Sequence, residues 1–241
     1  MIVSHNELIT AVHKAFWGMR RSCGEADMIA DMVASLEIAG LHGVHHFNKA
    51  STFLQLEDDR PAEIEAIGSD RLTVELHNAS LACHMPALIA FAIEKMANTE
   101  TLTLDINHCH NRWLAYSELA KLSDLGFACS AQWSNGSSPK RTLFVLNQDC
   151  NLPEIFLSDH IVEDEYQSMT LTISKRHFDI ADLASDFSIH IDSSELKQAQ
   201  QVAWNEGISV DEAEWEILVN TGKAILVENS ARSIKGAGEL V

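Results

Sequence analysis

Residues 104–113 read LDINHCHNRW, an apolar run that ends in Asn107, His108, Cys109 and His110. Each of these four side chains can ligate, donate or accept. A neutral imidazole there can donate to a carbonyl oxygen, or hand over a proton as that group reacts. If the extended backbone persists, His108 and His110 face one way and Asn107 and Cys109 the other. Ligands in an α/β sheet gather beyond the carboxyl ends of parallel strands. The stretch is therefore either a strand end that feeds a site or a polar loop whose His and Asn cap the next helix.

A second cluster, GLHGVHHFNK at residues 40–49, crowds His42, His45 and His46 into one turn. If that turn is helical, His42 and His46 share a face. Together with His108 and His110 they invite a zinc site, although H-E-x-x-H and Cys-x-x-Cys are both absent. The turn Ser137–Arg141 brings Lys140 and Arg141 between two expected strands and is a candidate anion site. Lys235-Gly236-Ala237-Gly238 has no strand-to-helix context and makes no dinucleotide fingerprint.

The elements that must position these groups follow from hydrophobic period. Ser4-His5-Asn6-Glu7 is a capping box, and Leu8, Val12 and Phe16 continue a helix to about Gly18. Residues 25–39 predict a second helix with Met28, Met32, Leu36 and Ala39 on one face, stopped by Gly40. A third runs over 44–54, and 55–65, with Pro61, predicts a loop. Further on, the period predicts strands at 71–76, 101–106, 127–133, 142–146, 168–173, 187–191 and 224–227. Helices are expected at 86–97, 113–125, 194–205 and 211–221, the last opened by a box at Ser209-Val210-Asp211-Glu212. Strand-helix-strand order implies parallel pairing. The expected fold is α/β: a helical region, 1–66, followed by a mixed sheet with parallel strand-helix-strand units, 67–241, together one unit.

Composition narrows the function classes. The 241 residues are 46% hydrophobic, which is globular rather than disordered. A net charge of -18 with only 17 Lys and Arg excludes a nucleic-acid binder. No apolar run approaches the roughly 18 residues of a membrane span, and the N-terminus has no signal-peptide pattern, so a cytoplasmic protein is expected. Five scattered cysteines fit free thiols in a reducing compartment. Trp113, Trp133, Trp204 and Trp215 lie on different elements and are expected in the core.

Taken together, these residues resemble the type-2 malate/L-lactate dehydrogenase family, whose nicotinamide-binding fold is not a Rossmann domain. AIEKMANTETLTLDINHCH (92–110) is similar to the family's A-I-E-K-A helix, turn, strand and N-S-N-H motif. SELAKLSDLGFACSAQWSN (117–135) resembles its next helix and strand, and IADMVASLEIAGLHGVHHF (29–47) the helix leading into G-x-x-S-H-G-V-x-R. Asn107 and His110 fall on the motif's first Asn and its His, and His42 on the catalytic His. His46 replaces the Arg, and Asn78 falls near a small N-G-L-G loop. The likeness covers roughly residues 1–140 and fades beyond, where G-T-N-P and D-x-A-T-S are absent. Asn6-Glu7, Gly40–Gly43 and Ser230–Gly238 also resemble a bacterial family of unknown function.

The dehydrogenase resemblance implies an NAD- or NADP-dependent oxidoreductase, a homodimer, acting on a 2-oxo or 2-hydroxy acid or a cyclic imine. His42 would be the proton donor, with His110 as its catalytic partner. Asn107 and Asn78 would orient the substrate, and His46 would hold its carboxylate. Lys140 and Arg141 would hold the cofactor. The missing motifs favour a second possibility, a non-catalytic descendant that binds a small acid or a partner chain. The His-rich zinc site is a third.

Overall fold

Every second side chain of the central strands turns inward, and this alternation builds the core. The computed structural model describes residues 1–160 and 167–225. The chain begins with β1 (Ile2–Val3), α1 (His5–Gly18), α2 (Cys23–Ile38) and α3 (Gly43–Leu56). β2 (Glu63–Ala66) and β3 (Arg71–Ser80) lead through α4 (Leu81–Met96) to β4 (Thr101–His110). A 3-10 turn at Arg112–Ala115 opens α5 (Tyr116–Asp124). There follow β5 (Ala128–Ser134), β6 (Arg141–Leu146), β7 (Glu154–Ser158) and β8 (Met169–Ser174). Next come α6 (Ile180–Leu183), β9 (Ile189–Ile191), α7 (Ser193–Glu206), β10 (Ile208–Ser209) and α8 (Glu212–Gly222).

Eight strands form one mixed sheet in the order β2-β3-β4-β8-β5-β6-β7-β9. β3 and β4 are parallel, joined by the α4 crossover, and the other neighbouring pairs are antiparallel. β5 runs in the direction of β4, but β8 lies between them. The α/β class with a mixed sheet is thus as expected. One face carries Leu72, Val74, Leu102, Leu104, Leu171 and Ile173 into a single apolar core with the helices. On the other face, Arg71 pairs with Asp105 and Thr103 meets Thr172 at 3.2 Å. Over β6 and β7 that face is covered instead by Phe178, Ile180, Ala184 and Phe187. Among the described residues, no helix is long and apolar enough to cross a membrane.

Several elements differ from the sequence expectation. α2 buries Ala26, Ile29, Ala30 and Val33 as well as Met32 and Leu36, because α1, α3, α4 and α5 all pack against it. β2 occupies the end of the expected loop, α4 starts at Leu81 rather than Pro86, and β7 was not foreseen. α8 is capped by Asp211, which accepts from the N–H groups of Ala213 and Glu214; Ser209 pairs in β10 instead. Lys223–Ile225 is a 3-10 turn and not the start of a strand. Residues 226–227 and the Ser230–Gly238 segment lie outside the described residues. All five cysteines are free thiols. Trp133 is buried as expected, but Trp204 is 70% exposed.

The approach of α3 to α2 sets where the histidine cluster sits. Gly40 turns the chain with φ 75°, a conformation open to glycine, and Gly43 begins α3 directly against α2. A Cβ on Gly43 would lie 2.1 Å from the Val33 carbonyl oxygen and 2.9 Å from Leu36 Cβ. The helix start is capped from α2 as well: Glu37 accepts the Val44 N–H at 2.8 Å. Gly43→Ala should therefore cost about 3 kcal/mol by overpacking, a fall in Tm of roughly 6–12 °C. Thermal unfolding checks this, and a Tm within about 1 °C of wild type would show that the two helices are not in such close contact.

Candidate functional site

The strand expected to stop at Ile106 continues to His110, and its alternation breaks at His108. There the backbone turns left-handed (φ 48°), as it does at His77 and Asn78 (φ 53° and 67°) on β3. His and Asn tolerate this region better than most residues. The register moves from Glu75↔Asn107 to Ala79↔Cys109, so three β3 residues stand opposite one on β4. His108 and His110 consequently do not share a face. His108 is exposed and bonds Glu75 through Nδ1 at 2.7 Å, whereas His110 is buried under Phe53, their rings stacked at 3.6 Å. Glu75 also accepts the His77 N–H at 2.7 Å. Burial pushes Glu75 up, but its bonds to His108 and His77 outweigh that and hold it below the usual carboxylate range.

Beyond the end of β4, a cavity of about 590 Å³ opens between the start of α3 and the turn at residues 134–139. This is the size of a small-molecule site. His42, His46 and His110 all line it, together with His45 and Lys49. His42 is the residue before α3, with φ 54°, so it does not share a helical face with His46. Trp113 forms a wall: it stacks on His46 at 5.1 Å, meets Trp133 edge-on, and donates to Asn135 Oδ1 at 3.1 Å. It is thus a site residue rather than only core. Asn135 holds the turn by donating to the Pro139 carbonyl and to Thr142 Oγ1, each at 2.8 Å. Arg112 staples β4 to β5, donating to the carbonyls of Cys109 and of Ser134, the latter at 2.7 Å.

Four sequence assignments fall elsewhere. Asn107 and Asn78 do not line the cavity; both sit in the strand irregularity, where Asn78 supplies the left-handed turn. Lys140 and Arg141 are also outside it. Arg141 is the first residue of β6, 8% exposed, with its guanidinium over the Phe187 ring on the opposite face of the sheet. Among the described residues, no group of three or more His, Cys, Asp or Glu side chains is placed to hold a metal. The zinc site is not formed, because His108 turns away to Glu75. Lys49, Asn111, Arg112 and Trp113 are wall residues that the sequence analysis did not select. Asn111 and Arg112 directly follow the opening motif, and that adjacency was the available signal.

Burial divides the imidazoles. His46, enclosed beside Trp113, is driven down to about 3, first by burial and then by the charges of His45, Lys49 and His42. His110 is lowered by burial and then by Arg112. A neutral His46 offers a carboxylate a hydrogen bond but no positive charge. His42 and His45 are exposed. Glu214 of α8 bonds His45 Nδ1 at 2.6 Å and accepts from Asn48 at 2.6 Å. Burial raises Glu214, but these two bonds prevail and lower it.

The half-buried His46 generates a pH dependence. An unfolded chain gains a proton near 6.5 that the native ring refuses until about 3, so stability falls as pH drops between those values. His46→Phe keeps a ring against Trp113 and removes this linkage. The loss of stability between about pH 7 and about pH 4.5 should be smaller in the variant, measured by denaturant midpoints. An equal loss in both proteins would contradict a neutral half-buried ring.

Comparison with known proteins gives the fold and no activity. Residues 3–81 match a family model described as "Protein of unknown function (DUF3726)". No curated protein matches the chain. Among solved structures, the chain is similar to malate dehydrogenase from Pyrococcus horikoshii OT3, with TM-score 0.70 and 10% identity over 95% of this chain and 97% of that one. A dehydrogenase from Sinorhizobium meliloti gives 0.68 at 10% identity, over 92% and 99%. Delta1-piperideine-2-carboxylate reductase from Pseudomonas syringae pvar. tomato gives 0.64 at 11%, over 92% and 99%. The structural likeness therefore extends well past residue 140, where the sequence resemblance fades. The chain has a malate/lactate dehydrogenase-like fold and stands in a distant structural relationship to those enzymes.

Proposed function

We propose that the protein is an oxidoreductase that uses NAD(P)H to reduce a small 2-oxo acid or cyclic imine bearing a carboxylate. The supporting observation is the charge of the cavity. In a chain with 35 acidic residues, no Asp or Glu lines it among the described residues, while Lys49, Arg112 and four histidines do. A wall of that kind favours an anionic ligand.

The residues present fit the nicotinamide end of the cofactor. Asn111 Oδ1 and Arg112 Nε are buried at the wall without partners. They are an acceptor and a donor of the kind that a carboxamide satisfies. Phe53 and Trp113 supply flat apolar surface. A bound nicotinamide would supply the hydride. Lys49, whose Nζ among the described residues donates to Ser137 Oγ at 3.3 Å, is the exposed cation for the substrate carboxylate. Neutral His110, fixed by Phe53, donates a hydrogen bond without adding charge. Addition to the carbonyl carbon leaves charge on oxygen that must be neutralised, and the exposed imidazoles of His42 and His45 are the proton sources.

A second reading has one observation in its favour. Arg141, expected at the cofactor, lies across the sheet from the cavity, as a protein that kept the acid site and lost the nucleotide would allow.

Purified protein should quench the fluorescence of NADH or NADPH and consume it with at least one 2-oxo acid or cyclic imine carboxylate. Lys49→Glu should raise KM about tenfold or more with a smaller effect on kcat, the equivalent of at least ~1.4 kcal/mol of binding. No binding of either nucleotide at millimolar concentration would overturn the oxidoreductase assignment. Binding of the acid alone would then establish the second reading.

A further inference from the structure

We propose that His45, held by Glu214 of α8, is the catalytic proton donor of the cavity, and that Glu214 is its positioning residue. The assignment rests on the oxidoreductase reading given above, and it concerns a residue outside the motif match, where His42 would be the donor.

The cavity holds four imidazoles, and their surroundings separate them. His46 is half-buried and His110 buried, and both are lowered by that burial, so neither is a cationic acid near neutral pH. His42 has no hydrogen bond or ion pair to its side chain among the described residues, and its left-handed backbone leaves the ring in solvent. Among the described residues, His45 is the one of the four with a carboxylate in hydrogen-bond contact, Nδ1 lying 2.6 Å from Glu214 Oε1, whereas Glu37 acts on His42 without such a contact. Glu214 is fixed in turn. Asn48 donates to Oε2 at 2.6 Å and to the Glu214 backbone carbonyl at 2.8 Å, and Asp211 caps the same helix turn. A carboxylate on Nδ1 orients the ring, stabilises the imidazolium and leaves Nε2 as the exchanging nitrogen. His45 is about half exposed, so solvent can restore its proton between turnovers.

The step balances. As the carbonyl or imine carbon gains the hydride pair from reduced nicotinamide, the electron pair of its double bond moves to oxygen or nitrogen. That atom takes the proton from Nε2, and the imidazole is left neutral. Around His45 in the described residues stand His42, His46 and Lys49 on its own segment and His110 and Arg112 on the cavity wall, while Glu37 on α2 acts on His42 and Glu214, and Asp211 on α8 acts on Glu214. Lys49 and Arg112 are the two cations of the wall, and among the described residues Glu214 is the carboxylate in direct contact with His45.

The test compares His42→Gln, His45→Gln, Glu214→Gln and Glu214→Asp in the full chain. Turnover is measured at saturating substrate, and NMR follows the hydrogen-bonded Nδ1 proton of His45 without any ligand. His45→Gln should lower kcat by about a hundredfold or more while NAD(P)H binding stays within about twofold, and His42→Gln should lose less. Glu214→Gln should lower kcat by about tenfold with KM and NAD(P)H binding within about twofold, and should remove the Nδ1 proton signal; Glu214→Asp should restore most of both. Turnover that survives His45→Gln, or a kcat and Nδ1 proton signal unchanged by Glu214→Gln, overturns the proposal while leaving the oxidoreductase reading standing. Wild-type protein that turns over no substrate overturns both, even if the Nδ1 proton signal shows that the pair exists.

Discussion

The close approach of α3 to α2 at Gly43 is the constraint on which the site depends. With no side chain between them, the start of α3 lies against Val33 and Leu36, and Glu37 caps it from α2. That contact fixes the register of His42, His45, His46 and Lys49 along α3. The same helix then meets β4 further along, through Phe53 on His110, and α8 near its start, through Asn48 and His45 on Glu214. A shift of α3 by one residue would rotate its side chains by about 100° and separate all of these contacts.

Burial does the second part of the work. Histidines of similar intrinsic basicity end in different states because Trp113 and Phe53 cover two of them and leave two in solvent. Among the described residues, the acidic side chains stay off the cavity wall. Glu75 is occupied with the outer face of the β3–β4 irregularity, and Glu214 sits behind His45. Arg112 serves mainly as a strand staple, so much of its charge is spent on backbone carbonyls.

Periodicity made most of the elements legible. The runs at 71–76, 101–106 and 127–133 show their strands because one face is buried throughout, and Ser4 to Glu7 marks the first helix by a local hydrogen-bond pattern. The irregularity at His77, Asn78 and His108 was not legible, since a left-handed residue leaves no periodic mark, and it reversed the expected facing of His108. Pro86 misled because proline usually marks a helix start, whereas here it lies inside α4, which begins five residues earlier although Pro86 has no N–H to give the Ala82 carbonyl. At the site, His42, His46 and His110 were found from residue type and motif. Lys140 and Arg141 were misplaced because strand parity sends Arg141 to the opposite face of the sheet. The His45–Glu214 pair joins residues 169 apart in sequence, and no local pattern announces it.

A crystal structure of the protein with reduced nicotinamide and oxamate, a stable mimic of a 2-oxo acid, tests the central claim most directly. We expect the oxamate carboxylate at Lys49 and its carbonyl oxygen within hydrogen-bond reach of His45 Nε2, with the nicotinamide ring against the Asn111 and Trp113 wall. Oxamate bound away from this cavity, or density for neither molecule at saturating concentrations of both, would contradict it.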